Sequence, residues 1–187
     1  MVDISDQKAS ARKAGFAARK AVKSDERNQR ACEHLLAFLD SHKGKPAAGY
    51  MSIQTEINPI SVMLELARHG PVGVPVILGA GQPLEFRRWD AKTPMETGPF
   101  GAMVPINAQI VVPSVLIVPL VAFDGEGRRL GYGGGFYDRT LQNLRNAGET
   151  LAVGFAFAGQ QLEEIPSEDT DQMLDAIVTE NGVLTFR

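Results

Sequence analysis

The run Arg128-Arg129-Leu130-Gly131-Tyr132-Gly133-Gly134-Gly135-Phe136-Tyr137-Asp138-Arg139 gathers the residue types best suited to chemistry. Four glycines fill five positions, and two aromatics, an acid and a base follow without a break. Lacking a Cβ, glycine lets backbone N–H groups approach a ligand in φ/ψ regions closed to other residues. An apolar run, Val115 to Phe123, leads into the cluster, and a helix-like pattern follows it. A helix N-terminus adds partial positive charge. The stretch therefore reads as an anion cradle, for which phosphate is the commonest occupant.

Two familiar nucleotide templates fail here. A Walker A loop needs Gly-x-x-x-x-Gly-Lys-Ser/Thr, but Phe136 stands five residues after Gly131 and no Lys-Ser/Thr follows. Phe136 also stands where the third glycine of a dinucleotide fingerprint belongs. The neighbours are more informative. Asp138 falls in the first turn of the following helix, where a lone carboxylate would repel phosphate. A divalent cation between them would resolve the conflict, because Mg²⁺ is typically held by one or two carboxylates plus phosphate oxygens. The competing reading is an acid placed favourably at a helix N-terminus. Arg129 could neutralise a phosphate chain or be a solvated loop arginine.

Other chemistries find little support. His34, His42 and His69 lack metal-ligand spacing, and one cysteine makes no zinc set. There is no Gly-x-Ser-x-Gly nucleophile elbow. Cys32, on an apolar helix, reads as core. Phosphoryl chemistry by positioning and charge neutralisation remains.

The elements that position these residues follow from periodicity. Ser5 to Val22 and Ser24 to Leu39 read as two helices, the second with Ser24 as N-cap and Asp25 and Glu26 in its first turn. In this reading residues 1–44 form a hairpin on the core that buries an apolar stripe (Ala9, Phe16 and Ala17 in the first helix) and solvates most of its bases. Ala47 to Ile53, Val72 to Leu78, Leu84 to Trp89, Val115 to Pro119, Leu151 to Phe157 and Ala176 to Thr179 read as strands. Pro59 to Arg68, with Asn58 as N-cap, and Phe136 to Arg145 read as helices. Thr93 to Pro113, rich in proline and glycine, reads as a long ordered loop. Alternating strands and helices predict one α/β domain over residues 1–187, with a mostly parallel sheet and helices on both faces.

Composition sets limits. The chain has 187 residues, 44% hydrophobic and 22% charged, ordinary globular values. A chain of this length buries about 70% of its unfolded surface, so disulfides and structural metal are unnecessary. A formal net charge of −3 gives no footprint for nucleic acid or anionic membrane. No apolar run reaches the ~20 residues of a membrane span. Acids interrupt the basic N-terminus, which reads as the first helix of a cytoplasmic protein.

Leu120-Val121-Ala122-Phe123-Asp124 followed by Gly127 to Arg139 closely resembles the signature of the 5-formyltetrahydrofolate cyclo-ligases, or methenyltetrahydrofolate synthetases. The likeness extends over nearly the whole chain. Lys8-Ala9-Ser10-Ala11-Arg12, with Arg19 seven residues on, resembles the family's N-terminal Lys-x-x-x-Arg helix. Tyr50 to Ile57 resembles its folate-side segment. Ile165-Pro166, Asp171, Asp175 and Ile177-Val178-Thr179-Glu180 resemble its C-terminal segment.

The resemblance implies a fold related to sugar-phosphate isomerases and CoA transferases, and an ATP- and Mg²⁺-dependent ligase. ATP would phosphorylate the formyl oxygen of 5-formyltetrahydrofolate, and N10 attack with loss of phosphate would give 5,10-methenyltetrahydrofolate. By resemblance, Lys8 and Arg12 would contact ATP, together with Arg129, Leu130, Gly131, Tyr132, Gly133, Gly134, Gly135, Phe136 and Tyr137. Lys8 and Arg129 would stabilise charge, Asp138 and Asp171 would hold Mg²⁺, and Met51 and Glu56 would contact the folate. The expected partners are ATP and the folate, with or without a polyglutamate tail, and a monomer is expected.

Some positions depart from the pattern. Phe136 stands where Tyr is more frequent, Thr170 where His or another polar residue precedes the metal acid, and Val104-Pro105 where Glu-Pro is common. The last weakens a role for the 93–113 loop in the reaction. Trp89 reads as core before it reads as a stacking surface. Two alternatives stay open: a sugar-phosphate isomerase or CoA-thioester enzyme on a related fold, and a non-catalytic folate-binding protein.

Overall fold

The chain's centre is its shortest strand. β1 (Ala47–Ala48) pairs in parallel with β2 (Val72–Ile77) on one side and β6 (Val115–Pro119) on the other. The computed structural model describes residues 3–186, so residues 1, 2 and 187 at the ends of the expected domain lie outside the described residues. Outward from β6 come β9 (Leu151–Phe155) and β10 (Ala176–Thr179), both parallel. The edges are antiparallel, formed by β3 (Leu84–Arg88) beside β2 and β11 (Gly182–Thr185) beside β10. The full order is β11-β10-β9-β6-β1-β2-β3.

Because side chains alternate along a strand, β6 feeds two cores. Val115 and Ile117 join Leu35, Leu39, Met63 and Leu66 from α2 (Asp25–Phe38), its C-cap and α3 (Ile60–Ala67). Leu116 and Val118 join Leu141 and Leu144 of α4 (Phe136–Ala147) on the opposite face. Leu116 and Ile117 are fully buried, each contributing roughly 1.5–3 kcal/mol through burial alone. Helices therefore cover both faces of a mostly parallel sheet.

Several elements differ from the sequence reading. The strand expected over residues 47–53 stops at Ala48, because the chain leaves the sheet to form the wall of a cleft. Asn58 Oδ1 accepts from the Ile60 N–H at 3.0 Å, but Pro59 is the residue at the N-cap of α3. The expected loop over 93–113 contains a hairpin, β4 (Met95–Thr97) with β5 (Met103–Pro105), closed by a 3₁₀ turn at residues 99–101. A second hairpin, β7 (Ala122–Phe123) with β8 (Arg129–Leu130), precedes the glycine cluster.

The largest departure lies in α1 (Ile4–Val22). Ala9 and Ala17 are exposed and Phe16 is half-buried, whereas Lys8, Gly15 and Arg19 are buried. The inward stripe of this helix is cationic. Gly15 allows the approach, since a Cβ there would fall 2.7 Å from the Val121 carbonyl oxygen. A mid-helix glycine costs about 1 kcal/mol in propensity; here it brings α1 against the β7–β8 hairpin. Among the described residues, no helix is long and apolar enough to cross a membrane.

Candidate active site

The chain order along the sheet reverses at β1: the chain runs outward through β2 and β3, then returns through β6 to β9 and β10. Ligands of open α/β sheets bind outside the C-terminal strand ends at such a switch point. An open cleft of about 1180 Å³ lies there. The segment leaving β1 and the loop following β6 and its hairpin both line it. Every residue assigned above to nucleotide, folate or metal lines it, including the whole run from Arg129 to Arg139.

Asp124 organises the approach to the glycine loop. Its carboxylate is 1% exposed and accepts from the N–H groups of Glu126, Arg128 and Ile165 and from Arg128 Nε. These bonds close the β7–β8 turn and anchor the segment that carries residue 171. The glycines then enter α4. Gly133 and Gly135 have φ of +100° and +65°, a region costly for residues with a Cβ. Gly135 is the N-cap of α4 and supplies no side-chain cap, which leaves first-turn N–H groups of the helix for an anion.

Cations and acids gather around this loop from distant parts of the chain. Arg12 Nε donates to the Gly131 carbonyl at 2.9 Å. Lys8 Nζ, on a side chain 10% exposed, reaches Asp171 Oδ2 at 2.6 Å and Glu168 Oε2 at 2.7 Å. Burial acts to lower the Lys8 pKa, but hydrogen bonds and charge from these two acids outweigh it and hold the ammonium above its ordinary value. Arg129 Nη2 donates to Asp138 Oδ1 at 2.8 Å, and the Gln172 N–H donates to the same oxygen at 3.0 Å. Arg129 Nε and the Tyr137 hydroxyl are buried without a hydrogen-bond partner. Both residues line the cleft.

Met51 and Glu56 line the same cleft from the segment that leaves β1. Glu56 Oε2 accepts from the Ile53 N–H at 2.8 Å and Oε1 from the Tyr132 hydroxyl at 2.9 Å. Each carboxylate oxygen keeps a second lone pair for a ligand donor. Burial raises the Glu56 pKa, opposed by the Ile53 N–H, Tyr132 and Arg19. Trp89 is a core residue, 7% exposed and packed with β2 and β6. The 93–113 segment does reach the cleft: Pro99, Phe100, Ala102 and Val104 form part of its wall.

The sequence reading missed Glu168, the partner of Lys8, and the contacts of Arg19. Glu168 lies three residues before Asp171, and its N–H donates to Asp171 Oδ2 at 2.8 Å. That short acid-x-x-acid spacing was the available signal.

Residues 4–180 match the 5-formyltetrahydrofolate cyclo-ligase family. The 5-formyltetrahydrofolate cyclo-ligase of Haemophilus influenzae is 37% identical over 81% of this chain and 84% of its own length. That of Escherichia coli K12 is 34% identical over 84% of this chain and 90% of its own. A solved 5,10-methenyltetrahydrofolate synthetase from Aquifex aeolicus superposes with a TM-score of 0.78 at 30% identity, covering 96% of this chain and 93% of that one. One from Mycoplasma pneumoniae shares the fold with a TM-score of 0.74 at 22% identity, over 92% and 98%. With its glycine loop, Lys8 and Arg12 of α1, and the acids Asp138 and Asp171 assembled in one cleft, this chain belongs to the 5-formyltetrahydrofolate cyclo-ligase family.

Proposed function

We propose that this chain catalyses the ATP- and Mg²⁺-dependent cyclisation of 5-formyltetrahydrofolate to 5,10-methenyltetrahydrofolate, releasing ADP and phosphate. The observation that carries the reading is the single cleft uniting an uncapped helix N-terminus, Lys8, Arg12 and Arg129, Asp138 and Asp171, and the Met51–Glu56 wall.

The formyl oxygen of an N-formyl group is a poor leaving group. Transfer of the γ-phosphoryl group to it makes a good one. N10 then attacks the activated carbon, the C–O bond breaks, phosphate departs with the former formyl oxygen, and N10 loses its proton. The loop from Arg129 to Tyr137 and the first turn of α4 bind the phosphates through backbone N–H groups. Lys8, Arg12 and Arg129 neutralise charge that builds on the transferring group. Met51 and Glu56 orient the pterin, the carboxylate accepting from its N–H groups.

Asp138 and Asp171 suit a hard cation that prefers oxygen ligands. Both already sit beside basic groups that a phosphate chain would draw away. Mg²⁺ held by these two acids would supply positive charge to offset that of the phosphates. Among the described residues no group of three or more His, Cys, Asp or Glu forms a ready cage. We also propose a reducing, cytoplasmic setting, supported by Cys32 being a free, buried thiol and the sole cysteine.

The test follows the absorbance of the methenyl product from 5-formyltetrahydrofolate. Product is expected only with both ATP and Mg²⁺ present. Cyclisation at the same rate without nucleotide would overturn the proposal.

A further inference from the structure

Arg19 is the most deeply buried basic residue described in the chain, at 1% exposure. Its Nε donates to Thr55 Oγ1 at 3.0 Å and its Nη2 to the Tyr132 hydroxyl at 3.0 Å. Nη1 has no hydrogen-bond partner and lies 3.9 Å from Glu56 Oε1. Tyr132 passes the contact on, its hydroxyl donating to that same oxygen at 2.9 Å. The guanidinium also lies against the rings of Phe16 and Tyr132, at 5.2 and 5.7 Å from their centroids.

Burying a guanidinium is costly unless its charge is matched, and the charge matching it here is Glu56. The other titratable groups acting on Glu56 are phenols: Tyr132 in the glycine loop, Tyr137 on α4 and Tyr50 after β1. Burial raises all three, Tyr132 to about 12, so they stay neutral wherever the enzyme would be assayed. The cation acting on Glu56 is Arg19.

We propose that Arg19 is a positioning residue for the folate subsite. Acting directly and through Tyr132, it fixes the Glu56 carboxylate at the cleft wall and keeps it ionised for pterin N–H donors. Because Tyr132 belongs to the phosphate loop, the same three side chains join α1, the folate wall and the nucleotide loop. The inference rests on the folate role proposed above for Glu56.

The experiment measures KM for 5-formyltetrahydrofolate, KM for ATP, kcat and melting temperature against pH for wild type, Arg19→Met, Arg19→Lys, Tyr132→Phe and Glu56→Gln. Losing the cation raises the Glu56 pKa further, so Arg19→Met should move the acid limb of the folate KM profile to higher pH. At neutral pH the variant should raise folate KM roughly tenfold, with ATP KM within about twofold. Arg19→Lys should restore part of the pH profile, and Tyr132→Phe should raise folate KM by a smaller factor.

Equal rises in both KM values with an unmoved pH profile would show Arg19 to be structural and overturn the inference. Glu56→Gln separates the two claims. If it leaves folate KM unchanged, the folate role of Glu56 fails. If it raises KM and abolishes the acid limb while Arg19→Met leaves that limb in place, the Arg19 inference alone fails. Should Arg19→Met not fold, Tyr132→Phe decides, because it removes one oxygen from a half-exposed side chain. A folate KM unchanged in Tyr132→Phe would then overturn the inference.

Discussion

Lys8 Nζ lies 2.6 Å from Asp171 Oδ2 across 163 residues of sequence. A second pair repeats the arrangement, with Arg129 Nη2 at 2.8 Å from Asp138 Oδ1. Each acid proposed to hold Mg²⁺ is thus paired with a base proposed to hold phosphate. Arrival of metal and nucleotide together would exchange these partners without leaving a charge unmatched. ATP alone would strand two carboxylates beside its phosphates.

The exchange predicts strong synergy in binding. Calorimetric titration should find ATP bound at least tenfold more tightly with Mg²⁺ than without, as charge-assisted hydrogen bonds of about 1.5–3 kcal/mol are at stake. Equal affinities would contradict the exchange.

Lys8→Met tests the basic half of that pair. It should raise ATP KM by tenfold or more with little effect on folate KM. Stability should change by less than about 1 kcal/mol, because the Asp171 and Glu168 side chains it leaves behind are 27% and 51% exposed and can hydrate. An unchanged ATP KM would place Lys8 outside the nucleotide site.

Asp138→Asn tests the acid half. Turnover should fall about a hundredfold or more, with folate affinity within a few-fold. If binding of folate without Mg²⁺ falls as far as turnover does, Asp138 serves structure by holding Arg129 and the Gln172 N–H.

The glycine loop gives a backbone test. Gly135 has φ +65° and a Cβ there would meet Arg139 Nη1 at 2.7 Å, whereas Gly148 has φ 171° and open space around it. Gly135→Ala should cost roughly 1–2 kcal/mol and weaken ATP binding. Gly148→Ala should stay within about 0.5 kcal/mol of wild type. Thermal melts of both variants, with and without Mg-ATP, check the contrast.

A pH-dependent stability difference should trace the Glu56 carboxyl. Its pKa is raised in the folded state, so the folded chain holds that proton more tightly than the unfolded chain does. The associated stabilisation is complete below the ordinary value near 4.5 and is lost as pH rises through the folded pKa. Glu56→Gln does not titrate. Its melting temperature relative to wild type should therefore climb over that window and level off above it. A difference independent of pH would contradict the raised pKa.

The architecture was legible because strand and helix periods leave local marks. The runs of Val115 to Pro119 and Ala176 to Thr179 coincide with β6 and β10, and Ser24 caps α2 with its hydroxyl accepting from the Arg27 N–H. The loop after β6 was legible because glycine density needs no long-range information. The orientation of α1 was not. A helix whose inward face carries Lys8, Arg12 and Arg19 violates the apolar-stripe rule, and acids at residues 56, 168 and 171 supply the reason. Those acids lie too far along the chain for any local pattern to connect. The β4–β5 hairpin was hidden likewise, since prolines and glycines at its ends outweighed two three-residue strands.

The central claim is that the γ-phosphoryl group passes to the formyl oxygen in this cleft. Turnover of 5-formyltetrahydrofolate labelled with ¹⁸O in the formyl group tests it most directly. The account predicts that released phosphate carries the label, one atom for each folate cyclised. Phosphate without label, formed at the full rate of methenyl product, would contradict it.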